Sequence, residues 1–186
     1  MQTLFGQSIL FLGDSLTEGL GVSKSDSYPN LVEKLIKNKL KKEIKIINAG
    51  VSGSTTGDAL SRIDWYLKRK PDIVFIALGA NDGLRGLDLK TSEKNLEKIV
   101  QKSLNSGAKV LLAGMMIPPN YGPEYTKEFK NMYLKIKDKY KLAFLPFLLK
   151  DVAGEQKLNQ ADGIHPNEKG HKIIANEVFK FLKKEL

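Results

Sequence analysis

An apolar run from Ile9 to Leu12 stops at Gly13 and is followed by Asp14, Ser15 and Leu16. A short, continuously apolar strand that ends at a glycine presents the next residues on a sharp turn at its carboxyl end, the edge where open parallel α/β sheets bind their ligands. A serine there is a candidate nucleophile. Acyl transfer through serine also requires a base within hydrogen-bond reach, a group that orients the base, and donors for the oxyanion. The chain has two histidines. His171 falls within a helical pattern, whereas His165 lies in an irregular stretch and is followed by Pro166, so His165 is the better base. Asp162, three residues before it, can meet it across one turn. The order Ser, Asp, His differs from that of chymotrypsin and subtilisin, but the roles do not depend on order. For the oxyanion, the candidates are the backbone N–H groups of Ser15 and Gly53 and the side-chain amide of Asn81, because glycine permits close backbone approach and an amide donates without charge. Alone, Asp14-Ser15 also reads as a turn with a helix N-cap, and Asn81 beside Asp82-Gly83 as a turn asparagine.

The elements that would carry these residues alternate regularly. Apolar stretches at Ile9–Leu12, Ile44–Ala49, Ile73–Leu78, Lys109–Met115 and Leu142–Leu145 read as strands. Between and after them come amphipathic helices: from Tyr28 to Lys39 with Pro29 in the first turn, a helix carrying Leu60, Ile63 and Leu67, and one with Thr91 as N-cap and Gly107 as C-cap. The third buries Leu96, Ile99, Val100 and Leu104. A lysine-rich helix runs from Glu124 to about Tyr140, and a last helix turns Ile173, Ile174, Val178 and Leu182 inward. Five such alternations predict an α/β fold with a parallel sheet and helices on both faces. Right-handed crossovers then bring the carboxyl ends of all strands to one edge. Ser15, Gly53, Asn81 and His165 stand just past strands one, two, three and five, so they converge on a single rim.

Composition removes other classes of chemistry. The 186 residues, 41% of them hydrophobic, predict one domain over residues 1–186 with a sizeable core. The absence of cysteine excludes disulfides, thiolate metal sites and a cysteine nucleophile. No His, Asp and Glu cluster has metal-ligand spacing, so no metal is expected. No phosphate-binding glycine motif follows the first strand, and the Gly-x-Ser-x-Gly elbow is missing. The net charge of +9 rests on lysine, with arginine only at positions 62, 69 and 85, which argues against nucleic-acid recognition. No apolar stretch approaches the ~20 residues of a membrane-spanning helix. The N-terminus has neither a basic region nor a small-residue cleavage site. A cytoplasmic chain is expected as it stands, and a periplasmic or secreted one if a leader preceded it.

Four blocks together resemble the GDSL or SGNH hydrolases: Gly13-Asp14-Ser15-Leu16, Gly53, Asn81 within Gly79-Ala80-Asn81-Asp82, and Asp162-Gly163-Ile164-His165-Pro166. The bacterial branch of arylesterases, acyl-CoA thioesterases and lysophospholipases is further suggested by Asn48-Ala49-Gly50-Val51-Ser52-Gly53, Asp82-Gly83-Leu84-Arg85-Gly86 and Ile117-Pro118-Pro119-Asn120-Tyr121-Gly122-Pro123. The resemblance implies a three-layer α/β/α sandwich with a five-stranded parallel, flavodoxin-like sheet. It implies Ser15, Asp162 and His165 as a triad, Ser15, Gly53 and Asn81 as the oxyanion hole, Asp14 as a supporting residue, and no cofactor. The chain departs from many relatives of this branch at Ser54, where they carry aspartate.

The partner expected is a small acyl or aryl ester, a thioester or a lysophospholipid. Its acyl group would lie over apolar residues at the rim, for which Leu84, Met115, Met116, Ile117, Tyr121, Phe147 and Leu148 are the candidates. Gly83 and Gly86 would let the intervening loop move. Two alternatives share the scaffold: a carbohydrate O-deacetylase with a polar pocket, and a non-catalytic binding module.

Overall fold

The computed structural model describes residues 7–186; residues 1–6, most of the stretch read for a leader, lie outside the described residues. Five strands, β1 (Ser8–Gly13), β2 (Lys45–Gly50), β3 (Ile73–Ala77), β4 (Lys109–Ala113) and β5 (Ala143–Leu145), form one all-parallel sheet in the order β2-β1-β3-β4-β5. The central pair has the apolar composition of strands covered on both faces: Ile9 through Leu12 and Val74 through Ile76 have no exposed surface. Phe11 meets Phe75 at a ring separation of 5.1 Å and Tyr28 edge-on at 5.7 Å. Truncating Phe11 to alanine would cost about 3–5 kcal/mol.

Among the described residues seven helices accompany the sheet: α1 (Ser15–Glu18), α2 (Tyr28–Leu40), α3 (Thr56–Leu67), α4 (Ala80–Leu84), α5 (Leu89–Asn105), α6 (Pro123–Tyr140) and α7 (Glu168–Leu182). Helices α2 and α7 pack together, and α5 packs against both α3 and α6. The chain reverses direction across the sheet after β2, so the carboxyl ends of β1 and β3 are adjacent while their outgoing connections run to opposite sides. Ligands of open α/β sheets bind at such a switch point.

Several local readings change. Helix α5 is capped by Asp88, not Thr91: the Asp88 carboxylate accepts from the Thr91 N–H at 3.0 Å and from its hydroxyl at 2.6 Å, which starts the helix one turn earlier. Gly107 stands one residue past the cap Ser106, in the left-handed region at φ 88°. Leu104 is exposed, because the last turn of α5 carries it away from the sheet, and Ile173 is only partly buried. Among the described residues no helix is long and apolar enough to cross a membrane.

Candidate active site

Ser15 does not sit in a loop. It is the first residue of the one-turn helix α1, capped by the Asp14 side chain accepting from the Leu16 N–H at 3.0 Å and closed by Gly19 at φ 88°. Gly13 is required by crowding, since a Cβ there would overlap the Thr17 side chain. Gly50 is required in the same way by the backbone of α1 at Glu18, so the helix lies directly across the end of β2. Asn48 reinforces that contact by donating to the Thr17 carbonyl at 2.8 Å and accepting from the Gly50 N–H at 2.9 Å. The serine is thus held on a short helix wedged between the two neighbouring strands.

His165 reaches this helix from the other end of the chain. The segment before α7 folds back on itself through an isolated bridge between Asn159 and Pro166, with the Gln160 N–H donating to the His165 carbonyl at 2.8 Å. Gln160 also donates through its side chain to the Leu20 carbonyl at 2.7 Å, which ties this segment to the connection after α1. At its tip, His165 Nε2 lies 3.0 Å from Ser15 Oγ and Nδ1 lies 2.7 Å from Asp162 Oδ2. The second Asp162 oxygen accepts from the Ile164 and His165 N–H groups, both at 3.0 Å. These donors, led by the His165 N–H and its ring, hold the Asp162 carboxyl at about 2. A carboxylate permanently charged near neutral pH fixes Nδ1 as the protonated nitrogen and leaves Nε2 to accept a proton from the serine.

The oxyanion candidates come from two other strand ends. Helix α4 presents Asn81, one of whose amide hydrogens is held by the Ser54 carbonyl at 3.0 Å, leaving the other free to donate. Gly53 lies in the turn after β2 at φ 74°, a conformation that favours glycine. Two residues that sequence reasoning passed over anchor these donors. Buried Asp82 accepts from the Thr56 N–H at 2.9 Å, the Thr56 hydroxyl at 2.6 Å and the Ser92 hydroxyl at 2.8 Å, locking α4 to α3 and α5. Tyr133, also buried, donates to the Leu78 carbonyl at 2.8 Å just before α4 begins. Their signals were available only as a Gly-Ala-Asn-Asp string and one tyrosine in a helix. Ser54 is buried, and its hydroxyl accepts from Arg62 at 2.6 Å; the same guanidinium donates to the Gly13 carbonyl at 2.8 Å. Among the described residues its buried Nε has no partner, and burial lowers the Arg62 pKa.

The apolar candidates divide. Met115 and Leu148 are buried in the core and offer almost no surface to a ligand, because the segments leaving β4 and β5 are joined there: the Leu148 N–H donates to the Gly114 carbonyl at 3.0 Å, and the Gly114 N–H to the Leu145 carbonyl at 2.8 Å. Ile117 is also nearly covered, Leu84 and Phe147 are half-buried, and Met116 and Tyr121 are exposed. The Tyr121 hydroxyl donates to the Leu84 carbonyl at 2.8 Å, joining the loop after β4 to α4. Gly83 is not a hinge: it lies inside α4 against Phe129 and Ile117, where a side chain would collide. Gly86, at φ 63°, faces open space.

Comparisons with known proteins identify the family. The sequence profile of the GDSL-like lipase/acylhydrolase family matches residues 11–173. Esterase TesA of Pseudomonas aeruginosa is 38% identical over 183 residues, covering 98% of this chain and 90% of that protein. Thioesterase 1/protease 1/lysophospholipase L1 of Escherichia coli strain K12 is 35% identical over 176 residues, or 94% and 83% of the two chains. The crystal structure of the psychrotrophic esterase EstA from Pseudoalteromonas sp., inhibited by monoethylphosphonate, superimposes with a TM-score of 0.91 at 37% identity, over 96% of this chain and 98% of that one. The fold is therefore the α/β/α sandwich with a five-stranded parallel sheet expected from the sequence, and the chain belongs to the GDSL-like lipase/acylhydrolase family.

Proposed function

We propose that Ser15 is the nucleophile through which this family member, a serine esterase, cleaves carboxylic esters by way of an acyl-enzyme. The observation that carries the reading is the continuous pair of short contacts from Asp162 through His165 to Ser15. His165 Nε2 takes the hydroxyl proton as Oγ attacks the ester carbonyl, and returns it to the departing alcohol when the tetrahedral intermediate collapses. Water, activated by the same nitrogen, then attacks the acyl-enzyme and releases the acid. The N–H groups of Ser15 and Gly53 and the free Asn81 amide hydrogen bind the oxyanion in both steps, where each donor is worth about 2.7–4 kcal/mol of barrier. Asp162 keeps the imidazole in the productive tautomer and stabilises its charged form.

Small acyl or aryl esters are the substrate class, with thioesters and lysophospholipids included on the strength of the relative from Escherichia coli. The acyl chain would run over Leu84, Met116, Ile117, Tyr121 and Phe147. No cofactor enters the mechanism. A fluorophosphonate probe tests the reading, because it places a phosphoryl oxygen where the oxyanion forms. A covalent adduct mapped to the Ser15 peptide, lost in Ser15→Ala, is the expected result; labelling at Ser52 or Ser54 instead would overturn it.

A further inference from the structure

The turn that carries Gly53 is held in an uneven way. The Ser52 N–H donates to the Glu18 carboxylate at 2.7 Å, and the Ser52 hydroxyl donates to the same oxygen. On the other side, the Gly53 carbonyl accepts from the Arg85 guanidinium at 2.9 Å, and the Ser54 N–H donates to the Val51 carbonyl at 3.1 Å. Among the described residues, the peptide plane between Ser52 and Gly53 makes no hydrogen bond through either its C=O or its N–H. It hangs between two pinned planes. Packing does not hold it either, since Val51 and Ser52 are exposed. At a glycine the backbone turns easily, so the direction of this N–H depends on how firmly its neighbours are fixed.

We infer that Glu18 and Arg85 are positioning residues of the oxyanion hole. An anion grips the plane before the Gly53 N–H and a cation grips the plane after it. The inference rests on the reading of Gly53 as an oxyanion donor. Hydrogen bonds with an ionised partner are about twice as strong as neutral ones, which suits an exposed turn where water competes for every bond. Neither side chain is spent elsewhere, because among the described ion pairs neither appears. Glu18 is also the last residue of α1, the helix that begins with Ser15. Its grip on Ser52 therefore fixes the distance between nucleophile and donor through a single turn of helix, and Arg85 ties the same turn to the helix of Asn81. Neither residue touches the reacting atoms.

The test is steady-state hydrolysis of p-nitrophenyl acetate by Glu18→Ala, Arg85→Ala and the double variant, with Ser15→Ala measured alongside. Each single alanine should lower kcat about 10-fold and leave KM within about twofold, because a misdirected donor forfeits part of the 10²–10³ that a whole donor supplies. The double variant should fall about 30-fold and not the product of the two, since a turn already loose on one side has less for the other side to hold. Glu18→Gln keeps an acceptor oxygen without the charge and should recover part of the loss. Ser52→Ala removes only the hydroxyl contact and should stay within about threefold of wild type. Multiplying effects, an equal loss in Ser52→Ala, or wild-type kcat in a folded Glu18→Ala would each overturn the inference. If Ser15→Ala is inactive while the clamp variants are normal, only the clamp falls; if Ser15→Ala still turns over, the esterase assignment of Ser15 falls with it.

Discussion

His165 and His171 are six positions apart, yet one ring bridges two polar partners at the rim of the sheet and the other is sealed between helices. His165 is partly exposed, with Asp162 on one nitrogen and Ser15 on the other. His171 is buried in α7, accepts the Tyr28 N–H on Nδ1 at 3.2 Å and lies nearly parallel to the Tyr28 ring, 13° apart at 6.4 Å. Burial depresses its pKa to about 4, so it is a neutral acceptor throughout the range in which the enzyme would work. The same side chain is thus equipped to accept a proton where a carboxylate and a hydroxyl face it, and is a packing element where an aromatic ring and a helix N-terminus do. Backbone context decides which. Pro166 and the folded-back segment aim the first ring outward, while the helical period aims the second into the α2–α7 seam.

The largest effects should separate the two rings completely. His165→Ala is expected to lower kcat by about 10⁴–10⁶, the range seen when one member of a concerted catalytic unit is lost. Asp162→Asn should cost about 10⁴ with folding intact, because the amide favours the wrong tautomer. Turnover of p-nitrophenyl butyrate checks both, and near wild-type rates in either would break the comparison. Asn81→Ala should cost about 10²–10³ in kcat and slow fluorophosphonate labelling in parallel. An effect confined to KM would mean that Asn81 serves binding and not the transition state.

A smaller effect concerns the two acids near the site. Asp162 is exposed and held at about 2, whereas Asp14 is buried and pushed up to about 6, mainly by loss of solvation. Asp162 is therefore charged throughout the acid limb of activity, and Asp14 is a competing source of that limb. Asp14→Asn retains a capping oxygen for the Leu16 N–H and removes the titration. We expect kcat within about threefold of wild type and an acid limb of kcat/KM that persists, as a histidine base requires. Disappearance of the limb in Asp14→Asn would transfer it from His165 to Asp14.

Much of this arrangement was legible from residue order. The β-α alternation fixes which edge the strand ends share, and a Ser, a Gly, an Asn and an Asp-x-x-His each stand just past a strand, so convergence follows from handedness alone. What escaped was whatever depends on side-chain packing between distant segments. The network of Asp82 with Thr56 and Ser92 joins three helices, and nothing in its local pattern distinguishes that aspartate from a turn residue. Met115 and Leu148 could not be separated from Met116 and Phe147, because the apolar run read as strand four continues past Met115 without alternation, whereas β4 ends at Ala113, and the stretch after Leu145 is irregular, so neither has a period from which to read the buried side. Thr91 lost the cap to Asp88 for a related reason: both are good caps, and tertiary burial of Leu89 selects the earlier start.

The sharpest test of His171 lies in stability, since its replacement should leave turnover within about twofold of wild type. Its pKa is lowered in the fold, from 6.5 to about 4, so below pH 6.5 the unfolded chain binds more protons than the native one. Stability from this group is fully present above 6.5 and is lost as the pH falls toward 4. Between pH 7 and pH 5 the loss amounts to about 2 kcal/mol. Asp14 works in the opposite direction over part of this window: its raised pKa makes its contribution largest at low pH and removes it as the pH rises through about 6. The wild-type profile is therefore flatter than either group alone would make it. His171→Gln keeps an acceptor for the Tyr28 N–H and cannot titrate. Urea unfolding at pH 7 and pH 5 should show this variant gaining about 2 kcal/mol relative to wild type on acidification, with Asp14→Asn shifting the balance the other way. Parallel pH profiles for wild type and His171→Gln would mean that the ring is not held neutral in the α2–α7 seam, and the contrast with His165 would lose its physical basis.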